Sequence, residues 1–442
     1  AVTTMDMSLA TGLTTINLSD ASSETAIINS LTTGVTVDYT TTDATASNLT
    51  IAQADVSGSS DSQTVIAAAA SANDNLELTM VDIETLNISS DTANQVDLGL
   101  ANVSMTASGA TVAVNVTGTN DIEFITTNAD INVIDASTMG TGGAVVQSGR
   151  SRTDSVTYTG SSGADTFIMI NTADTITGGA GTDTLDINKA AILGGLNIDL
   201  SNTTDQIVSF NGSATSGTVL GMENALADGY TGTFGAQLTG SSGANTLTGT
   251  GNADVLSGGA GDDTLTGGAG ADTISVGSGS DTVVLGDGTA ASADTITGFS
   301  SGATASGGDI LDVTMGGTVT LDAAVAQGSI STGTFTVVAA ATTGAVAHDT
   351  GDILLLSGTT AQVGTATLVA AEFAASQAFE AVTNGDNLIV LVSDTQTGNT
   401  TIYEATETAN ATLTAGELAV VGTLNSFSST DADALIAANF GL

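Results

Sequence analysis

Two nine-residue units stand back to back at residues 258–275, as GGAGDDTLT and GGAGADTIS. In each unit glycine occupies the first, second and fourth positions, aspartate the sixth and an aliphatic residue the eighth. Glycine tolerates positive φ angles and close approach of other backbone, so the first half of the unit predicts a tight turn. Such a turn points carbonyl oxygens and one carboxylate inward, which is the chemistry of a site for a hard cation.

The same unit recurs in two blocks. Residues 160–186 hold three units, of which the middle one has lost its glycines, and residues 240–284 hold five. The sixth positions keep strict register at Asp165, Asp174, Asp183, Asn245, Asp254, Asp263, Asp272 and Asp281. A glycine-rich linker with scattered acids is the alternative, and this register argues against it. The register breaks after residue 284, where Asp294 is a further candidate ligand in a segment that we expect to cap the stack.

The triplet after each aspartate, such as TLT or TIS, predicts a short strand whose middle residue faces a core. If two units complete one coil, turns two units apart stack at one strand spacing, ~4.8 Å. Asp254 then faces Asp272, and Asp263 lies between Asn245 and Asp281. Two carboxylates ~6 Å apart repel by roughly 3 kcal/mol at an effective dielectric of about 20. The ladder of acids therefore requires a counter-ion.

Calcium fits this donor set better than other metals do. Two aspartates and about four backbone carbonyls supply six oxygens, which suits Ca²⁺ at ~2.3–2.6 Å. Magnesium demands strict octahedral geometry and gives up water reluctantly. Zinc and copper prefer imidazole or thiolate ligands, and the chain has one histidine and no cysteine.

The overall composition excludes several classes of partner. The 442 residues carry 47 acidic and 3 basic side chains, for a net charge of −44, so binding to nucleic acid or to an anionic membrane surface is not expected. Without cysteine there are no disulfides or thiolate metal sites. No apolar run reaches the ~18 residues that a membrane-spanning helix needs, so no membrane insertion is expected. Ala1 opens in mid-pattern, consistent with the mature remainder of a longer precursor.

Short segments of alternating apolar and polar residues predict strands before the first block. They lie at residues 13–20, 34–40, 75–90, 110–120 and 129–137. The chain has no proline and 3% aromatic residues. These features favour a right-handed parallel solenoid, in which each coil stacks on the last, although a β-sandwich remains an alternative. The predicted fold class is all-β, a parallel β-solenoid or β-roll with Gly-rich calcium-binding repeats and a C-terminal β-rich domain.

Four segments are predicted along the chain. They are a solenoid-like lattice or assembly region at 1–157, a short repeat block with a solenoid continuation at 158–239, the main calcium-binding β-roll and its cap at 240–315, and a C-terminal β-rich domain at 316–442. In the last segment, residues 387–394 and 400–407 predict an antiparallel hairpin, whereas 414–424 fits either a helix or a strand.

The nonapeptide units resemble the repeats-in-toxin (RTX) family, whose members are secreted by type I systems with an uncleaved C-terminal signal. The resemblance implies that Asp254 with Asp272, Asp263 with Asp281, and Asp165 with Asp183 ligate calcium, and that the site of Asn245 is weaker. It also implies ligands from the turn backbone, at Gly249, Gly251, Gly258 and Ala260 in one turn, at Gly268, Gly270, Gly277 and Gly279 in the turn two units on, and at Gly160, Gly179, Gly181, Gly259 and Gly261. The signal is expected within the tail of 316–442.

A looser resemblance covers the rest of the chain. The segments IETLNISS (83–90) and VIDASTMGTGGAVV (133–146), followed by a repeat block, are similar to the distal part of RTX surface-layer proteins of Gram-negative bacteria. That likeness implies a secreted protein of the bacterial cell surface or extracellular space that binds calcium and polymerises with itself. A cell-surface glycan, held by a region outside this chain, is the anchoring partner considered.

Enzyme activity is not expected from this sequence. His348 is the single histidine, and no G-x-S-x-G motif is present. Asp262 beside Asp263 occupies a variable position of the unit, for which no role is expected. Three functions stay open: a self-assembling surface-layer or matrix protein, which leads; an RTX adhesin or surface filament; and the secretion and folding module of a secreted enzyme.

Overall fold

The computed structural model contains strands and turns throughout its described part, without any helix, and so without a helix suited to crossing a membrane. The chain divides into two compact units, one formed by Ala1–Lys189 with Asn202–Asn224 and the other by Ala190–Ser201 with Ala225–Leu442. The described residues are 2–19, 25–41, 47–54, 60–69, 74–90, 96–105, 110–127, 130–140, 144–146, 155–169, 172–187, 195–210, 213, 215–230, 232–285, 293–300, 308–312, 336–339, 353–357, 387–394, 399–406 and 418–425.

The first unit is a stack of parallel coils. Its strands are β1 (Val2–Asp6), β2 (Thr15–Ser19), β3 (Thr25–Leu31), β4 (Thr36–Thr41), β5 (Ser47–Gln53), β6 (Ser62–Ala69), β7 (Asp74–Val81), β8 (Thr85–Ser90), β9 (Val96–Ser104), β10 (Val112–Gly118), β11 (Ile122–Thr127), β12 (Ile131–Asp135), β13 (Ala144–Val146), β14 (Thr157–Thr159), β15 (Thr166–Ile168), β16 (Thr175–Thr177), β17 (Thr184–Asp186), β19 (Ile207–Phe210) and β20 (Val219–Leu220). The odd-numbered strands from β1 to β17 form one sheet, and the even-numbered strands from β2 to β16 form a second sheet that ends at β20.

Alternation of side chains explains why these segments become coils. In β5 the side chains of Leu49 and Ile51 are buried, while Thr50 between them is only half-buried. Each strand pairs in parallel with the strand two further along the chain, as in the register of Leu49 with Leu78. The two sheets therefore share one aliphatic core, and rows of half-buried threonine and asparagine alternate with the buried positions.

The second unit contains the longer repeat block. Its strands are β18 (Leu196–Asp199), β21 (Asn224–Leu226), β22 (Ala236–Thr239), β23 (Thr246–Thr248), β24 (Val255–Ala260), β25 (Thr264–Thr266), β26 (Thr273–Ser278), β27 (Thr282–Val284), β28 (Asp294–Thr297), β29 (Ile310–Asp312), β30 (Thr336–Ala339), β31 (Ile353–Ser357), β32 (Asn387–Asp394), β33 (Asn399–Thr406) and β34 (Leu418–Asn425). One sheet runs in the order β21-β23-β25-β27-β29, and the other runs β18-β22-β24-β26-β28-β34-β33-β32-β31-β30.

The parallel solenoid is thereby confirmed, and a β-sandwich does not describe these sheets. The hairpin prediction is confirmed by antiparallel pairing of β32 with β33, and the described part of the ambiguous segment, from residue 418 on, is the strand β34. The proposed secretion tail beyond residue 425 and the side chains of Arg150, Arg152 and His348 lie outside the described residues. The division into four segments stays a prediction.

The repeat triplets form the predicted strands. Leu247, Leu265 and Val283 pair across β23, β25 and β27, and Leu256 and Ile274 pair across β24 and β26. All five side chains are buried. Their burial against one another aligns the turns that precede each strand, and this alignment positions the acids.

Candidate metal centre

The sixth-position side chains form two columns in the second unit. Successive backbone hydrogen bonds link Asn245, Asp263 and Asp281 in one column, and Asp254, Asp272 and Asp294 in the other. Each of these side chains is at most 3% exposed. The pairs of facing residues therefore match the stacking expected from the sequence, two units apart.

One oxygen of each carboxylate is used by the protein itself. The backbone N–H of Asp254 donates to Oδ1 of Asp272 at 2.8 Å, and the N–H of Asp263 donates to Oδ1 of Asp281 at 2.9 Å. In the first unit the N–H of Asp165 donates to Oδ1 of Asp183 at 2.9 Å. Each acid thus stabilises the coil before its own, a role that the ligand pattern did not predict.

The second oxygens are where a cation is needed. Within the described part of the chain, Oδ2 of Asp183, Asp263, Asp272 and Asp281 has no hydrogen-bond partner, although these atoms are buried. An unpartnered charged oxygen away from water is costly, and a bound cation removes the cost. These four buried oxygens are the feature of this structure that fits a bound calcium ion.

A glycine at the first position makes room beside three of these four oxygens, and Val276 occupies that position in the turn of Asp281. A Cβ on Gly267 would lie 2.2 Å from Oδ2 of Asp272, and one on Gly258 would lie 2.5 Å from Oδ2 of Asp263. At these two positions a side chain would fill the space beside the carboxylate. The first-position glycines therefore keep the carboxylate oxygen accessible to a ligand from within the turn.

Burial without a counter-ion disfavours the charged form of these acids. It raises the pKa of Asp272 to about 8, that of Asp183 to about 7 and that of Asp263 to about 6, while the backbone hydrogen bonds to the same carboxylates act in the opposite direction. Burial also raises the pKa values of Asp254 and Asp281. Protons therefore compete with any cation at these oxygens.

Carboxylates alone do not complete a site. Among the described residues, no three His, Cys, Asp or Glu side chains come together as a metal-binding group. Backbone oxygens have to supply the remaining ligands, which suits calcium. The turns that carry the predicted backbone ligands lie against one another, since a Cβ on Gly277 would be 2.2 Å from the carbonyl oxygen of Gly259 and one on Gly279 would be 2.0 Å from that of Gly261. Gly251 differs, with nothing within 4 Å of its Cβ position.

Acids outside the strict register take over the same role at the ends of the columns. The N–H of Asp272 donates to Oδ1 of Asp294 at 3.1 Å, so this candidate ligand continues the column of Asp254 and Asp272. Sequence reasoning missed Asp309, whose Oδ1 accepts the N–H of Asp281 at 3.0 Å, and Glu223, whose Oε2 accepts the N–H of Asp183 at 2.7 Å. Both residues keep one feature of the repeat that the sequence shows, an acid two positions before a residue that becomes buried.

Two further positions depart from the sequence expectation or extend it. Asp262 has a role after all, because its Oδ1 accepts the N–H of Ser280 at 2.8 Å on the exposed side of the turn. Asp174, in the unit that has lost its glycines, still accepts the N–H of Val156 at 2.9 Å. The hydrogen-bonding function of the acid is therefore preserved where the glycine pattern is not.

Comparison with known proteins agrees with this geometry. A family model described as the RTX calcium-binding nonapeptide repeat (4 copies) matches residues 171–186, 230–265, 239–274 and 257–289. No curated protein shows significant similarity to the chain. The matched repeats bind calcium ions and are typical of secreted, extracellular proteins. The matched segments include all four unpartnered carboxylate oxygens.

Proposed function

We propose that this chain, whose RTX repeats bind calcium, is a self-assembling structural protein of a bacterial surface layer or extracellular matrix. It leaves the cell unfolded and folds in external calcium. The observation that carries the proposal is the set of buried, unpartnered carboxylate oxygens at Asp183, Asp263, Asp272 and Asp281. We assign the chain a scaffold role rather than a catalytic one, because its buried acids hold backbone amides of neighbouring coils.

Because the repeats fold around calcium, the calcium concentration determines whether the chain folds inside or outside the cell. Extracellular calcium modules bind with Kd of about 10⁻⁴–10⁻³ M, so their sites fill outside a cell and not in a low-calcium interior. At calcium concentrations of about 100 times Kd, each site that binds only the folded state adds about 2.7 kcal/mol of stability. Several such sites in one stack give a steep folding transition. This supports folding after secretion.

The faces of the first unit support lateral association. Thr36, Thr64, Asn87 and Asn115 pair in register across β4, β6, β8 and β10 and form a half-buried polar row. Nδ2 of Asn115 donates to Oδ1 of Asn87 at 2.9 Å within this row. A regular polar face mates with a second copy through hydrogen bonds and does not require a large apolar patch.

Net charge determines how assembly responds to calcium. A chain of net charge −44 repels its copies, and calcium in the ladder offsets only part of that charge. Ions shared between copies, through exposed acids such as Asp228, offset more. We therefore expect assembly to need more calcium than folding does.

One titration tests the proposal. Calcium is added to the chelated protein while circular dichroism reports folding and light scattering reports assembly, with negative-stain electron microscopy of the end point. The expected result is folding first, then ordered sheets that a chelator dissolves. A chain that folds in calcium and stays monomeric at high concentration contradicts self-assembly and favours a module attached to another functional domain.

A further inference from the structure

Apart from the unit at 169–177, which has lost its glycines, the acid ladder contains two kinds of turn, distinguished by the residue at the second position of the unit. Serine or threonine occupies that position in the first repeat turn of each column of acids, at Ser161, Ser241 and Thr250. Glycine occupies it in the later turns, at Gly179, Gly259, Gly268 and Gly277. The two kinds differ in how the sixth-position side chain is satisfied.

In the serine or threonine turns the protein saturates the acid. The backbone N–H of Thr250 donates to Oδ2 of Asp254 at 2.6 Å, and the Thr250 hydroxyl donates to Oδ1 of the same residue at 3.0 Å. Ser161 makes the equivalent pair of contacts with Asp165, at 2.6 Å from the N–H and 3.2 Å from the hydroxyl. Both oxygens of each carboxylate are therefore engaged.

In the glycine turns one oxygen is left over. Oδ2 of Asp263, Asp272 and Asp281 in the second unit and of Asp183 in the first has no hydrogen-bond partner in the described part of the chain. The second-position glycines have positive φ, for example +97° at Gly268 and +105° at Gly259. The turn thus has another conformation, in which the second position does not cap the acid.

Stacking explains why serine and threonine are confined to the first turns. A Cβ on Gly268 would lie 2.2 Å from the carbonyl oxygen of Thr250, and one on Gly259 would lie 2.2 Å from that of Ser241. A later turn that packs on an earlier one therefore excludes a side chain at its second position. The first turn supplies the carbonyl and is not subject to the same restriction.

Asn245 shows that a first turn does not need the negative charge. Its Oδ1 accepts the N–H of Ser241 at 2.6 Å and the Ser241 hydroxyl at 3.2 Å, as the carboxylate of Asp254 does with Thr250. The N–H of Asn245 still donates to Oδ1 of Asp263 at 2.8 Å. A neutral amide thus performs the same structural role as a carboxylate.

We infer that some turns of the acid ladder form without metal and that the others bind calcium. Asp165, Asn245 and Asp254 close metal-independent first turns, and calcium is held by the carboxylates of the later turns, Asp183, Asp263, Asp272 and Asp281. The first turn of each column then forms without calcium, and the first calcium-requiring turn packs on it. This inference concerns which residues bind calcium and does not depend on the proposed assembly.

A matched pair of substitutions in one column tests the inference. Asp254→Asn and Asp272→Asn remove the same charge from consecutive turns of the full chain. Bound calcium is counted by equilibrium dialysis at saturation, and the calcium midpoint of folding is followed by circular dichroism. We expect Asp272→Asn to lose one bound ion or to raise the midpoint by about 10-fold or more, since even outer-shell changes cost about 10–100-fold in metal affinity. Asp254→Asn should keep the wild-type count without a rise in midpoint.

The outcomes separate this inference from the others. Equal loss of calcium in both variants, or a larger loss in Asp254→Asn, overturns it. Failure of Asp254→Asn to fold at saturating calcium also overturns it, because Asn245 predicts that an amide suffices. If Asp272→Asn alone fails to fold, the pair Asp165→Asn and Asp183→Asn repeats the comparison in the first unit. None of these results depends on whether the folded chain assembles.

Discussion

Replacement of Gly268 by alanine tests whether successive turns stack as closely as the structure shows. Gly268 has φ of +97°, and its Cβ would lie 2.2 Å from the carbonyl oxygen of Thr250. Gly251 is the matched control. It belongs to the unit two before, on which the turn of Gly268 stacks, has no atom within 4 Å of its Cβ position and lies outside the positive-φ region.

The expected magnitude follows from three contributions. A left-handed conformation costs an L-residue ~1–2 kcal/mol. To relieve the clash the two coils must separate, which breaks the hydrogen bond from the N–H of Thr273 to the carbonyl of Asp254, 2.9 Å, and that from the N–H of Asp254 to Oδ1 of Asp272, 2.8 Å. A neutral bond contributes about 1 kcal/mol and one to a charged group about 1.5–3 kcal/mol. The total is about 3.5–6 kcal/mol, or roughly 7–24 °C in melting temperature.

Thermal unfolding in saturating calcium, followed by circular dichroism, measures the difference. Gly251→Ala should be neutral or stabilising by up to about 1 kcal/mol, because alanine restricts the unfolded chain. Equal destabilisation by both substitutions would refute the close stacking of turns. A Gly268→Ala protein that melts with the wild type would refute it as well.

Two further predictions concern the acids. In calcium-free protein, stability should fall as pH rises from about 5 to about 8.5. The reason is that folding raises the pKa values of Asp263, Asp183 and Asp272 from 3.8 to about 6, 7 and 8. A carboxyl with a raised pKa contributes its full stabilisation below pH 3.8 and loses it as the pH passes the folded-state pKa. Melting temperatures across this range check it, and a rise with pH would contradict it. Asp263→Ala should raise the calcium midpoint of folding strongly, since it removes an unpartnered oxygen and the acceptor for the N–H of Asn245. Exposed Asp228→Ala is the charge control. Asp262→Ala, which loses the contact with Ser280 and a charge that acts on Asp263 and Asp281, should fall between them. Equal shifts in all three would mean that bulk charge binds the ion.

The nine-residue register alone was enough to predict the core of the roll. The aliphatic eighth position becomes buried Leu265 or Ile274, and the acids of units two apart face each other, as Asp254 does with Asp272. These features are recoverable because strand alternation and turn conformation are local properties that recur at a constant interval. The calcium prediction follows from the same local donor chemistry.

The tertiary structure decided what lies beyond constant spacing. Asp294 and Asp309 join the two columns of the second unit after insertions that break the register. Glu223 takes the equivalent place after Asp183 in the first unit, across a longer gap. Strand pairing between such segments is non-local, so the interval along the chain no longer identifies the partner. The structure also decided which carboxylate oxygen is free. That depends on whether a preceding turn lies over the second position, as Thr250 does over Gly268, a packing relationship that no single unit contains.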